Sequence, residues 1–578
     1  MSAPRAVRAD DEHDGLRRRG VGLLVIVVLS VWSAHLALVV AVVPYHHWDE
    51  LAFGEWSRLI AASGQFRFPS ITPLTYQRPL FYLIQGWLWR LLGEDEVLGR
   101  LLAVGFLVVL IVSVYRLGGI APGPWTSRER GGLAVLLLLT VTTVAVGAGA
   151  ALTDIPVGAL VAAAAALLWT TSHGWAASLA LAAVAAAAVL VKPTALPALA
   201  GLAAAHLVGP WRELPARLRP LLLLSLGTAL GLSYSLWMAA SLGQSLQQFL
   251  QGAILGGYYG DLSHRVRLSH LVNLEWLGPW LRLPLLVSLV YVVTRWSGLP
   301  HRASAALALP FAVAGMWAGA WLGAVKGGVA LSLAASIGKG WGITMFFTGI
   351  LAAGSHACAA HTPSRLFLLR QVIWAAPAFA SWVIYAPYDM RLLSPVWAPL
   401  VLLTTVPVAL GLAGWFRIAT TVGRLLLIAL AVLAASNARM IDGLDVATSM
   451  KIARAAGESG RDAAVIRRIL VPDVEDVLAA LGPRLRPGDR VFSPEGRLRY
   501  FFPGRVAQSY PARCEDLAGY RFFVLPQMPA VRAYFITQLK VSPDPDFWGA
   551  CRSPRLDRIP AEGASAVFEV GEARDSKP

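Results

Sequence analysis

Polar side chains that could do chemistry are concentrated in one stretch of an otherwise apolar sequence. His46, His47, Asp49 and Glu50 follow directly after an uncharged run from Val21 to Val43. A bilayer excludes such groups unless they have a function, so this stretch is a candidate site. Its carboxylates could act as general bases. His46 and His47 with Asp49 could also bind a divalent ion, but adjacent histidines are a weak ligand pattern, and we expect no metal.

The candidate site lies in a predicted outer loop over residues 44–95, which also contains Gln77 and Arg78. Residues 53–62 and 79–92 of this loop alternate apolar and polar side chains at helical spacing. The second stretch includes Tyr82 and two tryptophans, which favour the headgroup layer. We expect two helices that lie along the outer membrane surface. The simpler alternative is a loop that is only tethered to the membrane.

Composition predicts the elements that must position this loop. With 56% hydrophobic and 15% charged residues and a mean hydropathy of +0.58, the chain fits a bilayer rather than water. Residues 21–43 are long enough to cross about 30 Å of hydrocarbon and too long for a signal peptide. The sequence predicts an all-α polytopic membrane protein of about thirteen spans, near residues 21–43, 96–116, 131–150, 155–172, 175–191, 194–209, 221–241, 276–294, 303–324, 341–359, 367–386, 392–412 and 420–437.

Charge predicts the orientation of the spans. Arg17, Arg18 and Arg19 precede the first span, so the tail over residues 1–19 is expected in the cytoplasm. Alternate loops are also rich in arginine, and the odd number of spans puts the C-terminus outside. We therefore expect a multi-pass protein of the plasma membrane with an extracytoplasmic C-terminal domain.

The C-terminal domain is expected over residues 438–578, where charged residues and prolines become frequent. Residues 444–482 read as helices and residues 488–570 as strands broken by turns, which predicts a small soluble α/β domain. Cys514 and Cys551 both lie in it, where an oxidising compartment favours a disulfide; the alternative is two unpaired thiols in a small core.

The net charge of +16 does not indicate a nucleic-acid partner. The basic residues are spread over loops and the tail without an aromatic and basic platform. Anionic membrane lipids are the better partners for them.

Several short motifs follow one another along the chain, namely Trp48-Asp49-Glu50, Tyr76-Gln77-Arg78-Pro79-Leu80-Phe81-Tyr82, Leu92-Gly93, Arg100, Leu152-Thr153-Asp154-Ile155-Pro156, Leu190-Val191-Lys192-Pro193 and Asp389-Met390-Arg391-Leu392-Leu393-Ser394-Pro395. Their order resembles the GT-C glycosyltransferases that use polyprenyl-phosphate sugars, in particular the aminoarabinose transferases of lipid A and the protein O-mannosyltransferases. The resemblance covers residues 20–437.

The resemblance implies that Asp49 is the catalytic base that takes the proton of the acceptor hydroxyl. Glu50 would project about 100° away in a helix, so we expect it to orient Asp49 or the acceptor. The structural alternative for this pair is an N-cap for a helix that begins near Leu51. Asp154 is the second acidic residue that the resemblance carries over, as support or acceptor contact, with a helix N-cap as its alternative.

Arg78 matches a family lysine that contacts the lipid phosphate, and its alternative role is an interfacial arginine that snorkels. Lys192 and Arg391 would add positive charge for the donor phosphate, or they are charged flanks of spans. Gln77 departs from the glutamate of the aminoarabinose branch, which weakens a metal or amine role there. We expect Gln77, His47 and Tyr82 to contact the acceptor or support the site.

The expected function is a metal-independent, inverting transfer of a sugar from a polyprenyl monophosphate to an acceptor on the outer face, with no cofactor. The acceptor stays open between protein Ser or Thr, a cell-envelope glycan and a lipid. Two rivals are a lipid or solute transporter, which would need ionisable groups at mid-span in paired discontinuous helices, and a non-catalytic scaffold.

Overall fold

The computed structural model describes most of the helical part and most of the C-terminal domain. The described residues are 5–65, 79–170, 174–209, 211–241, 243, 245–247, 362–385, 394–418, 420–444, 446–508, 511, 513–525, 542, 544–552, 554–561 and 565–571.

Apolar helices make up the N-terminal part. They are α1 (Arg5–Val42), α2 (Trp48–Ser63), α3 (Pro79–Leu92), α4 (Glu96–Ile120), α5 (Ser127–Leu139), α6 (Thr142–Gly147), α7 (Asp154–Thr170), α8 (Trp175–Val191), α9 (Ala195–Leu207), α10 (Leu214–Ser241), α11 (Thr362–Tyr385), α12 (Trp397–Ile418) and α13 (Thr420–Asn437). Their buried faces form one large hydrophobic core.

The helices agree with the predicted membrane class. Four described segments are long and apolar enough to cross a bilayer: Gly20–Val42, Glu96–Ile120, Leu214–Ser241 and Thr420–Gly443. Shorter apolar helices accompany them, so the exact number of spans is not established. The predicted spans at 276–294, 303–324 and 341–359 lie outside the described residues.

The predicted third span, residues 131–150, is not one helix. It is divided into α5 and α6, and Gly149 follows α6 with a φ of +81°. Glycine adopts this left-handed conformation at little cost in free energy, because it has no Cβ to clash, so the chain can reverse its direction here. The break places the loop between α6 and α7 at the end of α1, where Gly149 lies against Leu36 and Val39.

Small residues allow close helix packing, as the alanine-rich stretch from Val161 to Val189 predicts. A Cβ on Gly227 or Gly231 of α10 would lie 2.1 Å and 2.6 Å from the carbonyl oxygens of Ala182 and Ala186 on α8. Glycines four residues apart therefore let the two backbones approach, as in membrane helix pairs.

The C-terminal domain combines helices with a mixed sheet, as expected. Its elements are α14 (Val446–Ser459), α15 (Ala463–Leu470), α16 (Pro472–Leu481), β1 (Val491–Ser493), α17 (Leu498–Phe501), β2 (Val506–Gln508), β3 (Phe522–Leu525), α18 (Pro545–Gly549), β4 (Arg555–Ile559) and β5 (Ala566–Gly571). The strand order is β2-β1-β3-β5-β4. β1 is parallel to both neighbours, and the pairs β3–β5 and β5–β4 are antiparallel.

A disulfide joins Cys514 to Cys551, 37 residues apart, in this domain. A loop of this length stabilises a fold by roughly 4 kcal/mol in the chain-entropy model. The double variant Cys514→Ser/Cys551→Ser should therefore lower the domain's free energy of unfolding by about that amount in a denaturant titration. An unchanged midpoint would contradict this role.

The same disulfide can be used to test on which side of the membrane the C-terminal domain lies. The third cysteine of the chain, Cys358, is first replaced by alanine. In cells that express this Cys358→Ala variant, a membrane-impermeant maleimide should label Cys514 and Cys551 only after an impermeant reductant has been added. Labelling that requires cell lysis would place the domain in the cytoplasm.

Candidate active site

One arginine connects four distant parts of the chain at the end of α1. Arg100, in the second turn of α4, is fully buried. It donates hydrogen bonds to the carbonyls of Pro44 and Gly149, both at 2.9 Å, and to Asp442 Oδ2 at 2.8 Å. Its Nη2 also lies 3.4 Å from the Glu50 carboxylate. The guanidinium thus fixes the residues after α1, the loop before α7 and the turn after α13.

Glu50 is buried, and its carboxylate accepts hydrogen bonds from the backbone. Its Oε2 accepts hydrogen bonds from the N–H groups of His46 and His47, both at 3.1 Å, and its Oε1 accepts from the N–H of Ala151 at 2.7 Å. A carboxylate with this many donors is held firmly. Glu50 therefore fixes the backbone before α2 and the loop before α7.

Asp442 is the second buried carboxylate of the cluster. Its φ of +60° is the left-handed conformation that aspartate tolerates better than most residues. The Nε2 of His47 lies 3.0 Å from Asp442 Oδ1. Two carboxylates face one guanidinium here, and the His47 imidazole adds a second contact to Asp442.

The two histidines respond to this charge in opposite ways. Burial lowers the pKa of His47, but the hydrogen bond and charge of Asp442 outweigh it and raise the pKa above 6.5. For His46, burial prevails and lowers its pKa. The His47 contact therefore contributes stability that is fully present below about pH 6.5 and is lost as the pH rises through the raised value.

Asp49 lies in the first turn of α2 and is partly exposed. The expected alternative, an N-cap for a helix near Leu51, is wrong, because α2 begins at Trp48 and His47 is the N-cap. The cause is Glu50, which occupies the third helical position and accepts from the N-cap N–H, so the helix starts earlier. Asp49 is thus inside the helix.

The structure groups His46 and His47 with Glu50 and Asp442, and their possible ligand atoms lie within 4.8 Å of one another. Arg100 donates to Asp442, and Glu50 accepts from backbone N–H groups, so a divalent ion bound here would compete with these donors for the same carboxylates.

Asp154 and Lys192 form a buried ion pair, with the Lys192 Nζ 2.6 Å from Asp154 Oδ1. Asp154 is the first residue of α7, and Lys192 follows α8. Only two residues lie between Asp154 and Ala151, which bonds to Glu50. An extended chain of this length spans no more than about 11 Å, so the pair is close to the Arg100 cluster.

Four of the predicted site residues remain to be placed: Tyr82, Gln77, Arg78 and Arg391. Tyr82 is buried, and its carbonyl accepts from Ser57 Oγ at 3.1 Å, so it joins α3 to α2. Gln77, Arg78 and Arg391 lie outside the described residues.

Sequence reasoning missed Asp442 as a site residue and gave Arg100 no role. Asp442 stands before Gly443 at the end of the last span, where an Asp-Gly pair is typical of a turn. The usable signal was its position, an acidic residue at the end of an apolar segment.

No protein-family model matches the chain, and no curated protein matches it. Among solved structures, it is similar to ArnT from Cupriavidus metallidurans bound to undecaprenyl phosphate, with 16% identity and a TM-score of 0.49 over 95% of this chain and 97% of that chain. The apo form gives 14% identity and a TM-score of 0.47 over the same shares. With TM-scores below 0.5, these similarities do not assign the activity, which has to come from the residues of this chain.

Proposed function

We propose that this protein is a membrane glycosyltransferase that moves a sugar from a polyprenyl-monophosphate donor to a hydroxyl on the outer face of the membrane. Asp49 acts as the general base. The observation that carries the proposal is a partly exposed carboxylate whose neighbours on both sides are fixed by the buried Arg100 cluster.

The other described carboxylates of the first loop bind backbone N–H groups or arginines. Glu50 is buried against backbone donors. Glu55 pairs with Arg499, Glu94 pairs with Arg58, and Asp95 caps α4. Asp49 combines partial exposure with a rigid support, and a general base needs both to reach a proton in fixed geometry.

In the proposed reaction, the Asp49 carboxylate takes the proton of the acceptor hydroxyl as its oxygen attacks the anomeric carbon of the sugar. The bond from that carbon to the phosphate oxygen breaks, and the electron pair leaves with the polyprenyl phosphate. Attack opposite the leaving group inverts the anomeric centre. Arg78 and Arg391 supply positive charge for the phosphate. Lys192 contributes less, because Asp154 balances its charge.

The proposal includes no metal and no cofactor. Arg100 supplies the positive charge that Glu50 and Asp442 require. Chelation with EDTA should leave transfer unchanged, and recovery of lost activity by one divalent ion would contradict this part of the proposal.

A transporter fits the described ionisable residues less well. The ionisable residues of the candidate site lie near helix ends at one side of the helical part; they are Glu50, Arg100, Asp154, Lys192 and Asp442. Transporters place such groups at mid-span, in discontinuous helices.

The experiment that tests the function is turnover of lipid-linked sugar by the purified protein in vesicles, with both products identified. Release of polyprenyl phosphate together with an acceptor glycoside of inverted configuration is expected. Unchanged donor, with movement of lipid or solute across the vesicle membrane, would favour the transporter.

Arg78 gives a prediction about donor binding. Arg78→Ala should weaken binding of polyprenyl phosphate by roughly tenfold or more, whereas Arg78→Lys should weaken it less, because lysine keeps the charge but loses the bidentate fork. Binding is measured on purified protein. Equal donor affinity for wild type and Arg78→Ala would leave Arg78 as an interfacial anchor only.

A further inference from the structure

A short helix of the C-terminal domain docks against the loop helix that carries Asp49. The ring of Tyr500, in α17, is buried and lies 5.9 Å from the ring of Tyr45. The Tyr500 hydroxyl donates to Glu96 Oε1 at 2.8 Å, and Glu96 Oε2 accepts from the N–H of Tyr45 at 2.6 Å. One carboxylate thus links the C-terminal domain to the residue just before His46.

A second contact lies on the other side of Asp49. Arg499 forms an ion pair with Glu55 of α2 at 2.5 Å, and the N–H of Gly504 donates to Glu55 Oε1 at 3.1 Å. The Arg499 guanidinium also covers the ring of Trp56 at 4.8 Å. Both partners of the ion pair are nearly inaccessible, so solvent screens it little.

The fit between α17 and α2 is close. A Cβ on Gly54 would lie 2.8 Å from the Tyr500 ring, so glycine is required for the contact. The guanidinium of Arg58 lies 3.7 Å from the centroid of the Tyr500 ring, and it also donates a hydrogen bond to the Tyr500 carbonyl. Tyr500 is thus held between Gly54, Arg58 and Tyr45.

From these contacts we propose that Arg499 and Tyr500 are positioning residues for the transfer reaction. They hold Tyr45 before Asp49 and Glu55 after it, so that docking of the C-terminal domain sets the position of the base. The role rests on the proposed function and gives this domain a direct part in catalysis. Neither residue needs to touch the substrate.

The size of the effect follows from the geometry of base catalysis. A displacement of about 1 Å at a distance from the reacting atoms can cost up to 10²-fold in rate. Tyr500→Phe removes only the hydroxyl bond to Glu96, so we expect a loss of roughly tenfold in kcat with the donor KM unchanged. Arg499→Ala should behave similarly, and Arg499→Lys, which keeps the charge, should recover part of kcat.

The test compares Tyr500→Phe with Tyr520→Phe in the full-length protein in vesicles. Tyr520 lies in the same domain, and its hydroxyl contacts Arg490 rather than α2. Hydrogen exchange of residues 48–63 is measured beside transfer kinetics, because exchange does not depend on activity. Tyr500→Phe should increase exchange in α2 and lower kcat, and Tyr520→Phe should do neither.

Two results overturn the proposal. One is Tyr500→Phe with wild-type exchange and wild-type kcat. The other is a loss of kcat in Tyr500→Phe without any change in α2 exchange, which would assign the tyrosine another role. Failure of the wild type to transfer sugar would instead contradict the proposed function, while the exchange comparison would still test the docking.

Discussion

Replacing Asp49 with Asn is expected to lower sugar transfer by about 10²- to 10⁴-fold, the usual contribution of a general base. Asn has the same size but cannot accept the proton of the acceptor hydroxyl. Since Asp49 is not the N-cap of α2, the substitution removes no capping side chain. It removes a favourable charge at the helix N-terminus, worth about 0.3–1 kcal/mol.

The measurement separates chemistry from binding. Asp49→Asn should unfold at nearly the wild-type temperature, bind polyprenyl phosphate normally and lose kcat. Glu50→Gln is the matched control for a structural carboxylate and should lower stability as well as activity, because Glu50 is buried against three backbone donors. A folded Asp49→Asn protein with most of its turnover would remove Asp49 from the mechanism and point to Asp154.

Removing the Arg100 side chain is expected to have the largest effect on stability. Arg100→Met leaves Glu50 and Asp442 buried without their cation, and breaking a buried ion pair from one side costs about 3–5 kcal/mol. We expect a large drop in the yield of folded protein and in the temperature of unfolding in detergent.

A second substitution controls for the charge. Adding Asp442→Asn to Arg100→Met removes one of the two buried carboxylates that have lost their cation. The double variant should therefore be more stable than Arg100→Met alone. Arg454→Met replaces an arginine whose ion pair is exposed and should change stability by less than about 0.5 kcal/mol. Wild-type stability of Arg100→Met would show that the cluster does not hold the helices together.

Local signals in the sequence predicted the helical part well. Long uncharged runs and the helical spacing of residues 79–92 both act within a few turns of chain. The helices and strands of the C-terminal domain follow from equally local patterns, and the two cysteines of its disulfide are close in sequence.

The contacts that build the site were not predictable in the same way. Arg100 and Asp442 are 342 residues apart, and no periodicity connects them. The start of α2 depends on the same long-range arrangement, because Glu50 is fixed partly by Ala151, 101 residues away. The pairing of Asp154 with Lys192 likewise follows from how α7 packs on α8.

The distance in sequence between Arg100 and Asp442 also has a meaning for biosynthesis. A ribosome makes Arg100 early, but its partner emerges only after the last apolar helix, α13, has been translated. Until then, the guanidinium can bond only to Glu50 and to the carbonyls of Pro44 and Gly149. A nascent chain that stops before residue 442 cannot complete the cluster, so catalytic competence should appear late, after nearly the whole membrane part has been inserted.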